Sequence, residues 1–148
     1  MTELKRLLLP LDGSALAENA IPLATLLAKT FDGELILLRV LDLPLPTLEV
    51  KYPENHWVRE AMQANFREAQ RYLDDQGMLL NDAGVRVRTI VRDGSPAEDI
   101  LATATDEAVD LIVISSHGKG GPSPWTSGSV ADKVMQHSRC PVLLVRNN

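Results

Sequence analysis

The stretch "VISSHGKGGPSPWTSGSVADKV" (113–134) places Gly118, Gly120, Gly121 and Gly128 between a β-branched run and what reads as the start of a helix. Glycine admits positive φ and lets a bulky anion approach the backbone amides, while a helix N-terminus adds unpaired N–H groups and a favourable dipole. Such a combination can cradle a phosphate. Ser129 can donate its hydroxyl to a phosphate oxygen, and His117 and Lys119 sit where they can reach one. Asp12, at the end of the first apolar run, can accept from ribose hydroxyls as carboxylates do in dinucleotide folds. Each residue also has a plainer reading. Ser129 and Asp132 spell S-V-A-D, a capping box that starts a helix. Asp12-Gly13 is also a common turn, and a loop His or Lys is commonly just solvated. A glycine-rich loop alone is a weak motif. Catalysis has less behind it, because no base is placed to activate a water and the sequence G-x4-G-K-[ST] does not occur.

These residues need a frame. The runs at 6–12, 34–41, 85–93, 110–116 and 141–146 are short and apolar, the third alternating with a period of two and the other four reading as strands buried on both faces. Helical patterns separate them, giving the order β-α-β-α-β-α-β-α-β. The first helix is expected over 14–30, kinked at Pro22 and stopped before a left-handed Gly33. The second is expected over 54–76, with Val58, Met62, Phe66, Ala69 and Leu73 on its core-facing stripe. In the third, Ser95 is the N-cap, Pro96 the first helical residue and Glu98 the partner in a capping box. The fourth starts near Gly128 and Ser129 and ends near Ser138, with His137 complementing the dipole and Cys140 a small buried hydrophobe. The segment 42–55, with three prolines, is either a lid beside a ligand site or a surface crossover. In such parallel α/β sheets, ligands bind at the carboxyl ends of the strands, where the strand order reverses.

A chain of 148 residues, 45% apolar and 24% charged, with no repeat, fits one globular domain spanning 1–148. No run approaches the roughly 20 apolar residues of a membrane span, and "MTELKRLLLPLD" lacks the apolar region of a signal peptide, so a cytoplasmic location is expected. One cysteine excludes an internal disulfide and paired-cysteine metal sites. A net charge of −5 argues against a nucleic-acid partner, but not against a small phosphate ligand held by backbone amides.

Over nearly its full length the chain resembles the universal stress protein family. The segments that carry this are "LLLPLDGSALAENAIPLATLLAK", "LILLRV", "GSPAEDILATATDEAVDLIVISSHGKGG" and "GSVADKVMQHSRCPVLLVR". The ATP-binding branch of the family carries G-x2-G-x9-G-[ST], matched here by Ser115, Gly118, Gly128 and Ser129 with both spacings intact. The resemblance implies a flavodoxin-like, Rossmann-like three-layer α/β/α fold with a five-stranded parallel sheet ordered 3-2-1-4-5. It also implies a homodimer through the last strand and ATP, with Mg²⁺ or Mn²⁺, between the ends of strands one and four. By position, Pro10, Leu11 and Asp12 would line the adenosine, and Val40 would meet the adenine through its backbone. Ile114 and Ser115 would border the ribose, while Gly118, Gly128, Ser129 and Val130 would hold the phosphates. The chain departs from the pattern in having serine at 115 and a polar, proline-containing segment at 121–127. The resemblance makes the chain an ATP-binding, dimeric stress-response regulator whose nucleotide biases its shape or an unknown protein partner. A slow ATPase or self-phosphorylating enzyme and a nucleotide-independent adaptor are the alternatives. Gly128→Val is expected to block phosphate approach without disturbing the core.

Overall fold

The leucine run of the first strand faces two ways. In the computed structural model, which describes residues 3–42, 55–118 and 128–146, Leu7, Leu8 and Leu9 are all fully buried. Leu7 and Leu9 enter one apolar cluster and Leu8 the other. Each burial contributes roughly 1.5–3 kcal/mol of hydrophobic stabilisation, which only a sheet covered on both faces can supply.

The strands are β1 (Arg6–Pro10), β2 (Glu34–Leu41), β3 (Arg86–Asp93), β4 (Leu111–Ser115) and β5 (Val142–Val145). All pairings are parallel, in the order β3-β2-β1-β4-β5. Helices α1 (Ala15–Glu18), α2 (Ile21–Thr30) and α3 (His56–Asp82) accompany one face, with Ala17, Ala24, Ala28, Leu73 and Leu80 in its cluster. Helices α4 (Pro96–Asp106) and α5 (Ser129–His137) cover the other, through Ala97, Ile100, Ala104, Ala131 and Val134. This is the expected flavodoxin-like α/β arrangement. The segment 43–54, Lys119, Gly120, Gly121 and the rest of 119–127 lie outside the described residues.

Several local expectations are corrected. The first helix is two helices, α1 and α2, separated at Asn19 and Ala20. Pro22 falls in the first turn of α2, where its missing N–H removes no helical bond. The left-handed residue after α2 is Asp32 (φ 51°), not Gly33. Gly33 instead packs against the Leu4 carbonyl, leaving no room for a Cβ. Helix α3 is capped by Asn55, whose Oδ1 accepts from the N–H groups of Trp57 (3.0 Å) and Val58 (3.3 Å). It runs past Gln76 to Asp82, with Gly77 and Leu80 buried in its last turns. Ser95 and Pro96 hold their expected positions, but the Ser95 side chain makes no capping bond. Strand β5 is only partly buried, not covered on both faces, since it forms a sheet edge.

Candidate functional site

The crevice arises where β1 changes neighbours. The β1–β4 ladder has two rungs, Leu7–Leu111 and Leu8–Ile112. Beyond them β1 stays paired with β2 through Pro10–Leu38, and β4 with β5 through Ser115–Val145. The carboxyl ends of β1 and β4 therefore lie side by side without bonding as strands.

On the β1 side, the Leu11 N–H donates to the Leu38 carbonyl (2.8 Å), and the Leu11 side chain is buried in the α1–α3 cluster. Asp12 is partly buried. Its Oδ1 accepts from the Ser14 N–H (2.9 Å) and the Ser14 hydroxyl (2.6 Å), and Ser14 in turn caps α1 by accepting from the Ala17 N–H (3.1 Å). Gly13 between them has φ +87°, a conformation that favours glycine. Asp12-Gly13 therefore forms a turn, as its plainer reading expects, with the carboxylate held by Ser14. Its other oxygen, Oδ2, lies where a Cβ on Gly118 would be.

On the β4 side, Ile114 and Ser115 are buried. The Ser115 hydroxyl donates to the Leu16 carbonyl (2.8 Å), so this serine, in place of the family's glycine, ties β4 to α1. The Ser116 N–H donates to the Val145 carbonyl (2.8 Å), and the Ser116 hydroxyl lies 3.1 Å from His117 Nδ1. The Gly128 N–H donates to the Ser116 carbonyl, and a Cβ on Gly128 would stand 2.9 Å from that same oxygen. Gly128 occupies the N-cap of α5, leaving Ser129 as the exposed first residue of the helix with no side-chain cap. The capping-box reading of Ser129 is therefore incorrect. Val130 packs against the α4–α5 cluster, as does Val40 at the end of β2.

Pro10, Leu11, Asp12, Val40, Ile114, Ser115, His117, Gly118, Gly128, Ser129 and Val130 all lie at the carboxyl edge of the sheet or the start of α5. The closest approaches are Asp12 to Gly118 and Gly128 to the Ser116–His117 backbone. Leu11 and Ile114 place their side chains in the core. The structure adds Arg39, Tyr72 and Glu18, which the sequence reading missed. The Arg39 guanidinium carbon stands 5.2 Å from the Tyr72 ring centroid, and the Tyr72 hydroxyl donates to Glu18 (2.8 Å). Burial, reinforced by that bond to the carboxylate, pushes the Tyr72 hydroxyl well above the usual tyrosine range. The available signal was a lone arginine within the apolar run of β2. Among the described residues no group of three or more His, Cys, Asp or Glu is placed to hold a metal ion. No helix among them is long and apolar enough to cross a membrane.

A doubly wound parallel sheet with a switch point between its first and fourth strands, flanked there by an aspartate turn and close-packed glycines, is a flavodoxin-like α/β architecture. The chain matches the universal stress protein family over residues 3–146 and belongs to it. It is 34% identical over 145 residues to universal stress protein YxiE of Bacillus subtilis, covering 95% of this chain and 98% of that one. The solved structure of MJ0577, a universal stress protein of Methanocaldococcus jannaschii, superposes with a TM-score of 0.85 at 32% identity, covering 98% and 97% of the two chains. A family member from Arabidopsis thaliana, solved with AMP bound, shares the fold at 19% identity (TM-score 0.69, covering 97% and 92%).

Proposed function

We propose that this universal stress protein binds an adenine nucleotide, ATP in the first instance, between the ends of β1 and β4, and that occupancy biases its shape or its binding of a protein partner. Residues 1–148 act as one domain in this reading, paired into a homodimer through β5, whose four residues are half-exposed at the sheet edge. The observation that carries it is the approach of Asp12 to Gly118 across the unpaired ends of β1 and β4. It puts a carboxylate suited to ribose hydroxyls at the start of the glycine segment that leads to α5. Family membership and an AMP-bound relative of the same fold support it.

Asp12 would take the ribose, with the backbone of Val40 at the adenine. The amides around Gly118, Gly128, Ser129 and Val130, with the Ser129 hydroxyl, would take the phosphates. Phosphates supply most of the oxygens that a Mg²⁺ ion needs, which fits the lack of a metal-holding cluster among the described residues. The Ser115 hydroxyl is turned to the Leu16 carbonyl, consistent with a serine tolerated in place of glycine.

Gly128→Val is a poor probe here, contrary to the sequence expectation, because any Cβ meets the Ser116 carbonyl and shifts α5 from β4. Asp12→Asn and Ser129→Ala remove the proposed contacts with little change of volume. Calorimetric titration of nucleotide-stripped protein with ATP, ADP and AMP in Mg²⁺ tests the reading. Micromolar ATP binding weakened at least tenfold in Asp12→Asn is expected. Absence of binding to folded wild type would refute it and leave the dimeric adaptor.

A further inference from the structure

Arg39 lies one residue beyond the Pro10–Leu38 rung, level with Leu11 and the turn that carries Asp12. Strand alternation sends it to the face of α1–α3, alongside Leu35 and Leu37. There its guanidinium rests on the Tyr72 ring, and the bond from Tyr72 to Glu18 joins that ring to α1. Gly13 also meets the guanidinium, as a Cβ on Gly13 would stand 3.2 Å from Nη1 and 3.4 Å from Nη2. A side chain at 13 would crowd the cation from the turn; glycine leaves it clear.

The environment of Arg39 differs from that of the arginines of β3. Arg88 is bonded to Glu34 (2.9 Å) and Glu107 (2.8 Å), and Arg92 to Asp106 (2.8 Å). Arg39 is partly buried, yet among the described residues no carboxylate bridges it and no hydrogen bond engages its N–H groups. Stacking on a ring satisfies the face of a guanidinium and leaves its in-plane donors unused, and that fork matches the oxygens of a phosphate. A partly buried guanidinium stacked on a ring can turn its in-plane donors to an anion and form charge-assisted hydrogen bonds with it.

We propose that Arg39 is an anion-recognising residue of the crevice, its guanidinium, seated on Tyr72 beside the side-chain-free Gly13, taking a phosphate of the bound ligand. The inference rests on the nucleotide reading for the rest of the ligand, but not for the phosphate group. Arg39 then makes the site discriminate by phosphate content, whereas the amides at Gly118 and Gly128 do so through the backbone.

The test is titration of wild type, Arg39→Gln and Arg39→Lys with ATP, adenosine and inorganic tripolyphosphate, with circular dichroism to establish folding. The expected result is a loss of ATP affinity of about tenfold or more in Arg39→Gln, an intermediate loss in Arg39→Lys, and adenosine affinity unchanged within about twofold. Parallel losses for ATP and adenosine would make Arg39 a structural support and overturn the proposal, as would unchanged ATP affinity. Should wild type bind tripolyphosphate but no adenine nucleotide, with Arg39→Gln abolishing that binding, the nucleotide reading falls and Arg39 stands. If neither binds, both fall.

Discussion

Where the strands begin, Arg88 bridges Glu34 and Glu107, Arg86 reaches Asp32, and the Asp110 carboxylate accepts from the N–H groups of Lys5 and Arg6. Where they end, backbone meets backbone at Gly128, a carboxylate meets Gly118, and Arg39 stacks on a ring, with no ion pair to it among the described residues. Two open depressions lie at the starting edge, one of about 400 Å³ lined by Arg6, Glu34, Arg88, Asp106, Glu107 and Ala108, the other of about 860 Å³ around Lys5, Phe31 and Arg86. Their charged linings include groups already bonded to one another, which makes them solvated troughs. Volume is therefore a poor guide to the site in this molecule. The ending edge instead brings the Asp12 carboxylate to Gly118 and the start of α5 to the Ser116 carbonyl.

Substitutions can break or sharpen this contrast. The largest effect is expected from Gly128→Val: overpacking against a carbonyl that cannot retreat should lower stability by about 2–3 kcal/mol, read as a shift in the urea midpoint. An unchanged midpoint would mean that α5 does not sit on Ser116 as described. Gly118→Ala meets the end of a side chain, which can swing away. It should cost under about 1 kcal/mol in the same assay while displacing Asp12 and weakening ATP binding at least tenfold. Equal stability losses in the two glycine variants would erase the distinction between them.

Tyr72→Phe keeps the ring under Arg39 and removes the bond to Glu18, for an expected loss of about 1 kcal/mol at neutral pH. It also carries a pH signature. The folded protein holds the Tyr72 proton more tightly than the unfolded chain does, so this stabilisation is complete below the ordinary tyrosine pKa of about 10 and is lost as pH rises above it. Wild type should therefore lose stability more steeply than Tyr72→Phe in alkaline urea melts, and parallel profiles would exclude the bond. The smallest effect belongs to the starting edge. Arg88→Ala, with the arginine side chain 43% exposed, should cost no more than about 1 kcal/mol, diminishing with salt, and leave ATP affinity unchanged by calorimetry.

Much of this architecture was legible in the residues. Short apolar runs separated by helical periodicity gave the five strands, and "SPAE" marked the start of α4. The helices were less well bounded, for identifiable reasons. Pro22 reads as a kink inside one helix but serves equally well in the first turn of a second, and only packing of Ala20 and Ala24 against β1 and β2 selects the latter. The second helix is expected to end at Gln76, yet α3 continues to Asp82 with Gly77 and Leu80 buried.

The same division holds at the site. Asp12, Gly118, Gly128 and Ser129 stood out by type and spacing, and the structure brings Asp12 to Gly118 and Gly128 to the Ser116 carbonyl. Their sequence alone determined that a parallel α/β sheet would bring strand ends and a glycine segment to one edge, since hydrophobic pattern and turn chemistry are local properties of the chain. Tertiary structure alone decided that Ser129 begins α5 instead of capping it, and that Ser115 turns to Leu16. It also decided that Arg39 meets Tyr72 and Gly13. Those outcomes depend on which distant backbone or ring occupies the neighbouring few ångströms, and neither spacing nor composition encodes that placement.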